Sequence, residues 1–408
     1  MTAWSERLPA YTLFAAVTSA AGLPIYIYAP TYYAETYGIS LTSLGAILFA
    51  LRLIDVGQDP ALGWIAERLR RSKAPAVALG ALLMAASMLG LFAVAPPITP
   101  ALWFALMVTG LFTGFSFLSI NFYAQGIAKA GPHASGHTRL ATWRETGSLL
   151  GVCIAAVAPT LLMGHVGAPF STFAWGFAAA VLLATLAMWP EWRPGGTVEP
   201  TPMRVIVSDP VARRLLILAL VNATPLAVSS TLFLFFVQAR LGAPGWEGPL
   251  LVLFFLAAAV SSPVWGALAR ARGAKATLLW AMVLAVVSFG FTFFLGRGDV
   301  WLFALICLAS GATIGADLTL LPAMFARRMA AISPIGGQGF GLWALVNKLT
   351  LAFAAVALLP VLERSGFVPG ADHVPAAAET MLTVLYALVP SLLKLVAIGL
   401  LVATPLEE

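Results

Sequence analysis

The residues in this sequence best suited to chemistry stand where charge is least expected. In "RLIDVGQDPALGWIAERLRRSK", Arg52, Asp55 and Asp59 fall three and four residues apart within an apolar run. On a helix that spacing places all three on one face. An ionisable side chain deep in a bilayer costs about 2.5–3.5 kcal/mol even on a lenient insertion scale, so three at one address require a reason. Arg52 can pair with Asp55 and hold the helix in register, but a second acid asks for more than a register pin. Paired carboxylate oxygens suit a hard cation such as Na⁺, and a desolvated carboxyl can instead carry H⁺. Asp55 and Asp59 are therefore read together as a cation site, with Arg52 as their local counter-charge.

Other polar residues sit in equally apolar surroundings. In "TWRETGSLLG", Arg144 and Glu145 are adjacent and point about 100° apart on a helix. Arg144 is the candidate for a cavity, because its planar fork grips hydroxyl or carboxylate oxygens in pairs. Glu145 is expected as a partner of Arg144, Lys348 or Arg52. Lys348, in "LWALVNKLTLAF", needs an acid or a water-filled cavity, and Asp55, Asp59 and Glu145 are the acids on offer. Lys394 is expected to snorkel toward a helix end. Asp317 reads either as a helix-packing residue or as part of an outer cavity. Asn121, Tyr123, Gln125, Asn222 and Asn347 offer neutral hydrogen bonds to a polar solute or between helices. Most aromatics read as packing or interface belts, with Tyr26 the candidate for a solute contact.

The elements that must position these residues follow from composition. Hydrophobic residues make up 60% of the chain and charged residues 10%, which excludes an ordinary soluble domain. The apolar material divides into about twelve segments of roughly 20 residues, each long enough to cross a bilayer as a helix. They lie near residues 10–33, 41–66, 75–95, 100–128, 139–163, 169–189, 213–237, 247–269, 276–296, 299–326, 337–361 and 376–403. The expected fold is all-α. The net charge of +6 reads as topology and not as nucleic-acid binding, because basic residues crowd alternate loops. Only Arg240, Arg297 and Arg364 fall on the other side, so both termini are expected in the cytoplasm. No small-residue cleavage site follows the first apolar run, so that span is expected to be retained as an anchor. Cys153 and Cys307 read as buried small hydrophobes.

The polar, proline-rich stretch 190–212 reads as a cytoplasmic linker between a six-helix half at 1–189 and another at 213–408. An internal repeat supports the division: "DPALGWIAERLRRSK" in the second span is echoed by "SPVWGALARARGAK" in the eighth, with Asp59 against Ser262 and Gly63 against Gly266. Two related halves suggest transport by alternating access around a central site.

"RLIDVGQDPALGWIAER" closely resembles the second-helix signature of the glycoside, pentoside and hexuronide cation symporters, the melibiose permease family of the major facilitator superfamily. The resemblance extends through "YYAETYGIS", "TWRETGSLLG", "GADLTLLPAMFARRM" and "LWALVNKLTLAF". It implies a twelve-helix fold, Asp55 and Asp59 as cation carboxylates, and Arg144 and Lys348 as cavity charges. The sequence departs from the family where its sugar-binding acids belong: Ser19 stands at one position, and Gly114 or Phe115 at the other. Arg327 and Arg328 replace an Ala-Asp pair at the expected cytoplasmic gate.

The expected protein is a monomeric transporter of a bacterial inner membrane. It would move a sugar, glycoside or other small polar solute with Na⁺ or H⁺, without a further cofactor. A lipid-like or amphipathic solute, or a non-transporting sensor or assembly factor, are the alternatives. An enzyme is not expected, because His133, His137, His165 and His373 form no ligand cluster within one span.

Overall fold

The computed structural model describes residues 7–22, 28–131, 134–163, 165–192, 201–367 and 375–405, and the regular structure among them is helical. The first part of the chain forms α1 (Leu8–Ala20), α2 (Ala29–Tyr37), α3 (Leu41–Arg68), α4 (Lys73–Phe92), α5 (Pro100–Ala130), α6 (Ala134–Leu162) and α7 (Pro169–Met188). A short α8 (Met203–Ser208) precedes α9 (Pro210–Phe235), α10 (Glu247–Arg272), α11 (Ala274–Gly290), α12 (Val300–Ile332), α13 (Gly337–Arg364), α14 (Ala376–Thr383) and α15 (Val389–Ala403). Among the described residues, nine helices are long and apolar enough to cross a membrane. The expected first span falls on α1 and the start of α2. Wide π-turns at Phe236–Arg240 and Val384–Leu388 follow α9 and join α14 to α15.

Local chemistry sets the helix ends. Asp209 caps α9 by accepting the Ala212 N–H at 2.7 Å, and Pro210 starts the helix where its missing N–H is harmless. Ser40 caps α3 by accepting from the Ser43 N–H at 3.2 Å. Gly38 closes α2 with a φ of 69°, a left-handed conformation that a Cβ would disfavour.

The chain groups into two compact units. The first is Met1–Ile206 with Ala326–Leu345, and the second is Val207–Phe325 with Val346–Glu408. The chain passes between them at 206–207, inside the stretch read as a linker, and again at 325–326 and 345–346.

Within the first unit, α1 lies directly on α6. A Cβ at Gly147 or Gly151 would run into the backbone of Thr12 or Ala16, so this G-x-x-x-G pair lets two backbones touch. In lipid such contact replaces the missing hydrophobic drive between helices. Thr12 Oγ1 adds a 3.0 Å hydrogen bond to the Trp143 carbonyl. Tyr11, Phe14, Phe122 and Trp192 pack ring on ring beneath. The second unit repeats the device with Gly311 and Gly315 of α12 against Phe254 and Ala258 of α10. Its aromatic core is centred on Phe236 and Tyr386, stacked with centroids 4.1 Å apart. Large apolar side chains stay outside, as at Leu79 (69% exposed) and Trp301 (69%), where acyl chains replace water as their surroundings.

Candidate functional site

The first polar centre is built on α3. Asp55 and Asp59 are 2% and 0% exposed, one helical turn apart. Asp55 Oδ1 accepts from Gln58 Nε2 at 2.9 Å and from Ser116 Oγ of α5 at 3.4 Å, while Oδ2 faces Arg52 Nη1 at 3.5 Å. Thr113 of α5 donates to Gln58 Oε1 at 3.0 Å and holds that amide in place. Pro60 has no N–H to give the Val56 carbonyl, so a main-chain oxygen lies in the same turn as the two acids. Oxygen ligands are therefore gathered around a trio whose formal charge is one arginine against two aspartates. Among the described residues no three His, Cys, Asp or Glu side chains meet as a metal site.

The same helix is anchored further along. Gly63 meets the Gly337 backbone, and Gly341 lies against the Asp59 carbonyl, which a Cβ there would approach to 2.8 Å. Glu67 Oε1 accepts the Gln338 N–H at 2.8 Å, and Oε2 accepts from Gln338 Nε2 at 2.9 Å. The carboxylate thus sits at the first turn of α13, where main-chain N–H groups lack helical partners.

Arg144 and Glu145 form a second buried group in this unit. Although adjacent residues leave a helix on different sides, the long arginine chain folds back, and Arg144 Nε meets Glu145 Oε1 at 2.8 Å. Tyr123 donates to the same Glu145 oxygen at 3.2 Å, and its ring lies 3.7 Å from the Arg144 guanidinium carbon. Arg144 Nη2 is buried without a hydrogen-bond partner among the described residues, which leaves one fork of the guanidinium unspent.

Other expected contacts divide. Asn121 is 2% exposed and donates to the Phe117 carbonyl of its own helix at 2.8 Å. Gln125 accepts from Lys73 Nζ at 2.7 Å and donates to the Glu191 carbonyl at 2.7 Å, a tie between helix ends. Tyr26 lies outside the described residues. Arg327 and Arg328 are half-buried near the end of α12, in the segment that groups with the first unit. Lys348 is half-buried on α13 in the second unit. Gly114 packs on α4, where a Cβ would lie 3.0 Å from Met84 Cβ and 3.1 Å from the Gly80 carbonyl, so this position has no room for an acid.

The second unit holds a polar centre of its own, and it corrects the reading of Lys394. That side chain does not snorkel: it is 5% exposed and pairs with Asp317 of α12, while Asn222 Oδ1 of α9 accepts from it at 2.7 Å. Both charges lie along apolar helices, where an unpaired charge is costly, so each meets the other. The sequence signal was available as one aspartate, Asp317, and two lysines, Lys348 and Lys394, inside spans of the same half. Gln58, Thr113, Ser116 and Gln338 gave no such signal, since neutral polar residues in apolar helices are common.

The family model described as "MFS/sugar transport protein" matches residues 10–408. No curated protein sequence matches. Among solved structures, a bacterial homologue of the iron transporter ferroportin in an outward-facing state has a TM-score of 0.73 at 15% identity, covering 99% of both chains. The human organic anion transporter MFSD10 (TETRAN) has a TM-score of 0.64 at 19% identity, covering 98% of this chain and 100% of that one. At such identities these likenesses speak for the fold alone. That fold is the all-α major facilitator fold, and the match over nearly the whole length shows that the chain belongs to the MFS/sugar transport protein family.

Proposed function

We propose that this membrane transporter couples the movement of a sugar or another small polar solute to Na⁺ or H⁺. The observation that carries this reading is the burial of Asp55 and Asp59 on one turn of α3, with Gln58 and Ser116 holding Asp55 from the sides. A cation bound there is held by the carboxylate oxygens of the two aspartates. Its occupancy and that of the solute are then linked reciprocally, so each ligand strengthens the other's binding. Arg144, with an unspent guanidinium fork, is the first solute contact, and Lys348, Tyr26 and Asn121 complete the proposed set. Glu145 acts by holding Arg144 in place, and Arg327 and Arg328 belong to a cytoplasmic gate. The charge asymmetry of the loops supports cytoplasmic termini, in a bacterial inner membrane, for a protein working as a monomer.

In proteoliposomes, Asp59→Asn is expected to abolish gradient-driven accumulation while leaving solute exchange measurable. Accumulation at the wild-type level in that variant would overturn the cation assignment.

A further inference from the structure

The second unit contains a cavity that the cation site does not use. It lies between α9, α10, α11, α12 and the α14–α15 segment, a partly open cavity with a volume of about 120 Å³. Its walls are largely apolar, with Phe233, Phe254, Phe289 and Tyr386 among them, and Asp317, Lys394 and Asn222 also line it.

The valences of these last three are unequal. Lys394 is joined to Asp317 Oδ2 and Asn222 Oδ1, yet Asp317 Oδ1 is buried with no hydrogen-bond partner among the described residues. Hydroxyls lining the cavity do not serve it. Ser229 donates to the Pro225 carbonyl at 2.9 Å, Ser310 to Ile306 at 2.6 Å, and Ser391 to Ala387 at 2.8 Å. What remains is one strong acceptor on Asp317, beside a third ammonium proton on Lys394 and the amide N–H groups of Asn222. A buried carboxylate oxygen left bare is costly, so a donor that reaches it is strongly favoured. The charge balance narrows the choice. Aspartate and lysine already cancel, and a charged guest would bring an uncompensated charge into an apolar chamber.

We propose that this cavity binds an uncharged amphipath with a hydroxyl head and an apolar chain. The hydroxyl donates to Asp317 Oδ1 and accepts from Lys394 or Asn222, and the chain lies among Phe233, Phe254 and Phe289. This site stands on residues separate from the cation centre and goes beyond the transport reading.

The test uses the full chain in nanodiscs with a diazirine-bearing 1-monodecanoylglycerol as photolabel. Saturable labelling is expected on α9, α10 and α11. Unlabelled monodecanoylglycerol should compete at least tenfold better than decanoate or decylamine, which carry the same chain on a charged head. Asp317→Asn should weaken labelling about tenfold or more, since a hydrogen bond to a charged group is lost. Ala285→Phe fills the cavity and leaves the polar trio intact, so it should abolish labelling even if the first variant fails to fold. Non-saturable labelling, equal competition by either charged analogue, or undiminished labelling of Ala285→Phe would each overturn the proposal.

Discussion

The two copies of the internal repeat put opposite chemistry on the same helical positions. In the first copy the face of α3 carries Asp55 and Asp59, buried and flanked by Gln58, Thr113 and Ser116. In the second, with Asp59 set against Ser262, the residue four places earlier is Ala258, and both lie tight against α12. Ser262 Oγ donates to the Ala258 carbonyl at 2.8 Å, and a Cβ on Gly315 would come within 2.7 Å of that same carbonyl. Thus one copy keeps a polar, acid-bearing face and the other closes into a dry seam. The second unit carries its buried charges on α12 and α15, where Asp317 and Lys394 cancel. On the two proposals above, a duplicated scaffold has diverged so that one half suits a cation and the other a neutral guest.

The largest expected effect would come from breaking the cancelled pair. Lys394→Met leaves Asp317 buried without its counter-charge and is expected to lower stability by about 3–5 kcal/mol. Thermal unfolding in detergent would report it, and adding Asp317→Leu should restore most of the loss. If the single variant unfolds like wild type, the two charges do not depend on each other and the contrast between the units fails.

A smaller effect is expected from forcing the copies to match. Ser262→Asp puts the first copy's acid into the dry seam, where Gly315 leaves no space for it, with a loss of about 1–3 kcal/mol. Equal stability would show that the second copy still has room for an acid. The smallest effect concerns the anchor of α3: Glu67→Gln retains an acceptor for the Gln338 N–H but loses its charge, a change of about 1 kcal/mol. Hydrogen exchange at the Gln338 amide should speed up roughly fivefold, which is that energy expressed as a rate ratio.

Much of this was legible in the sequence because membrane helices declare themselves. Apolar run lengths located the helices, and the Asp55–Asp59 spacing marked the first polar centre, since local periodicity fixes a shared face. What stayed hidden was pairing over long separations. Lys394 meets Asp317 and Asn222 from 77 and 172 residues away, which no period of 3.6 encodes. Gln125, read as bonding either a solute or a neighbouring helix, is held between Lys73 and Glu191, because a buried amide takes whatever partners the fold brings near. Glu145, expected as a partner of Arg144, Lys348 or Arg52, meets Arg144 because arginine is long enough to turn a corner that a helical wheel of short spokes would not allow.

The wide turn at Val384–Leu388 carries a consequence for how this chain tolerates insertions and deletions. A π-turn is one residue wider than an α-turn, so everything beyond it is rotated by about 100° from where an unbroken helix would place it. Lys394 lies six residues past that turn, counting from Leu388. Losing a single residue from the turn would leave a good apolar helix of nearly the same length and hydropathy. It would also swing the ammonium to a different side of the helix, away from Asp317. In this segment a reading frame of side chains is set by one extra residue, and a deletion that looks neutral by composition would erase the charge pair without altering either of its members.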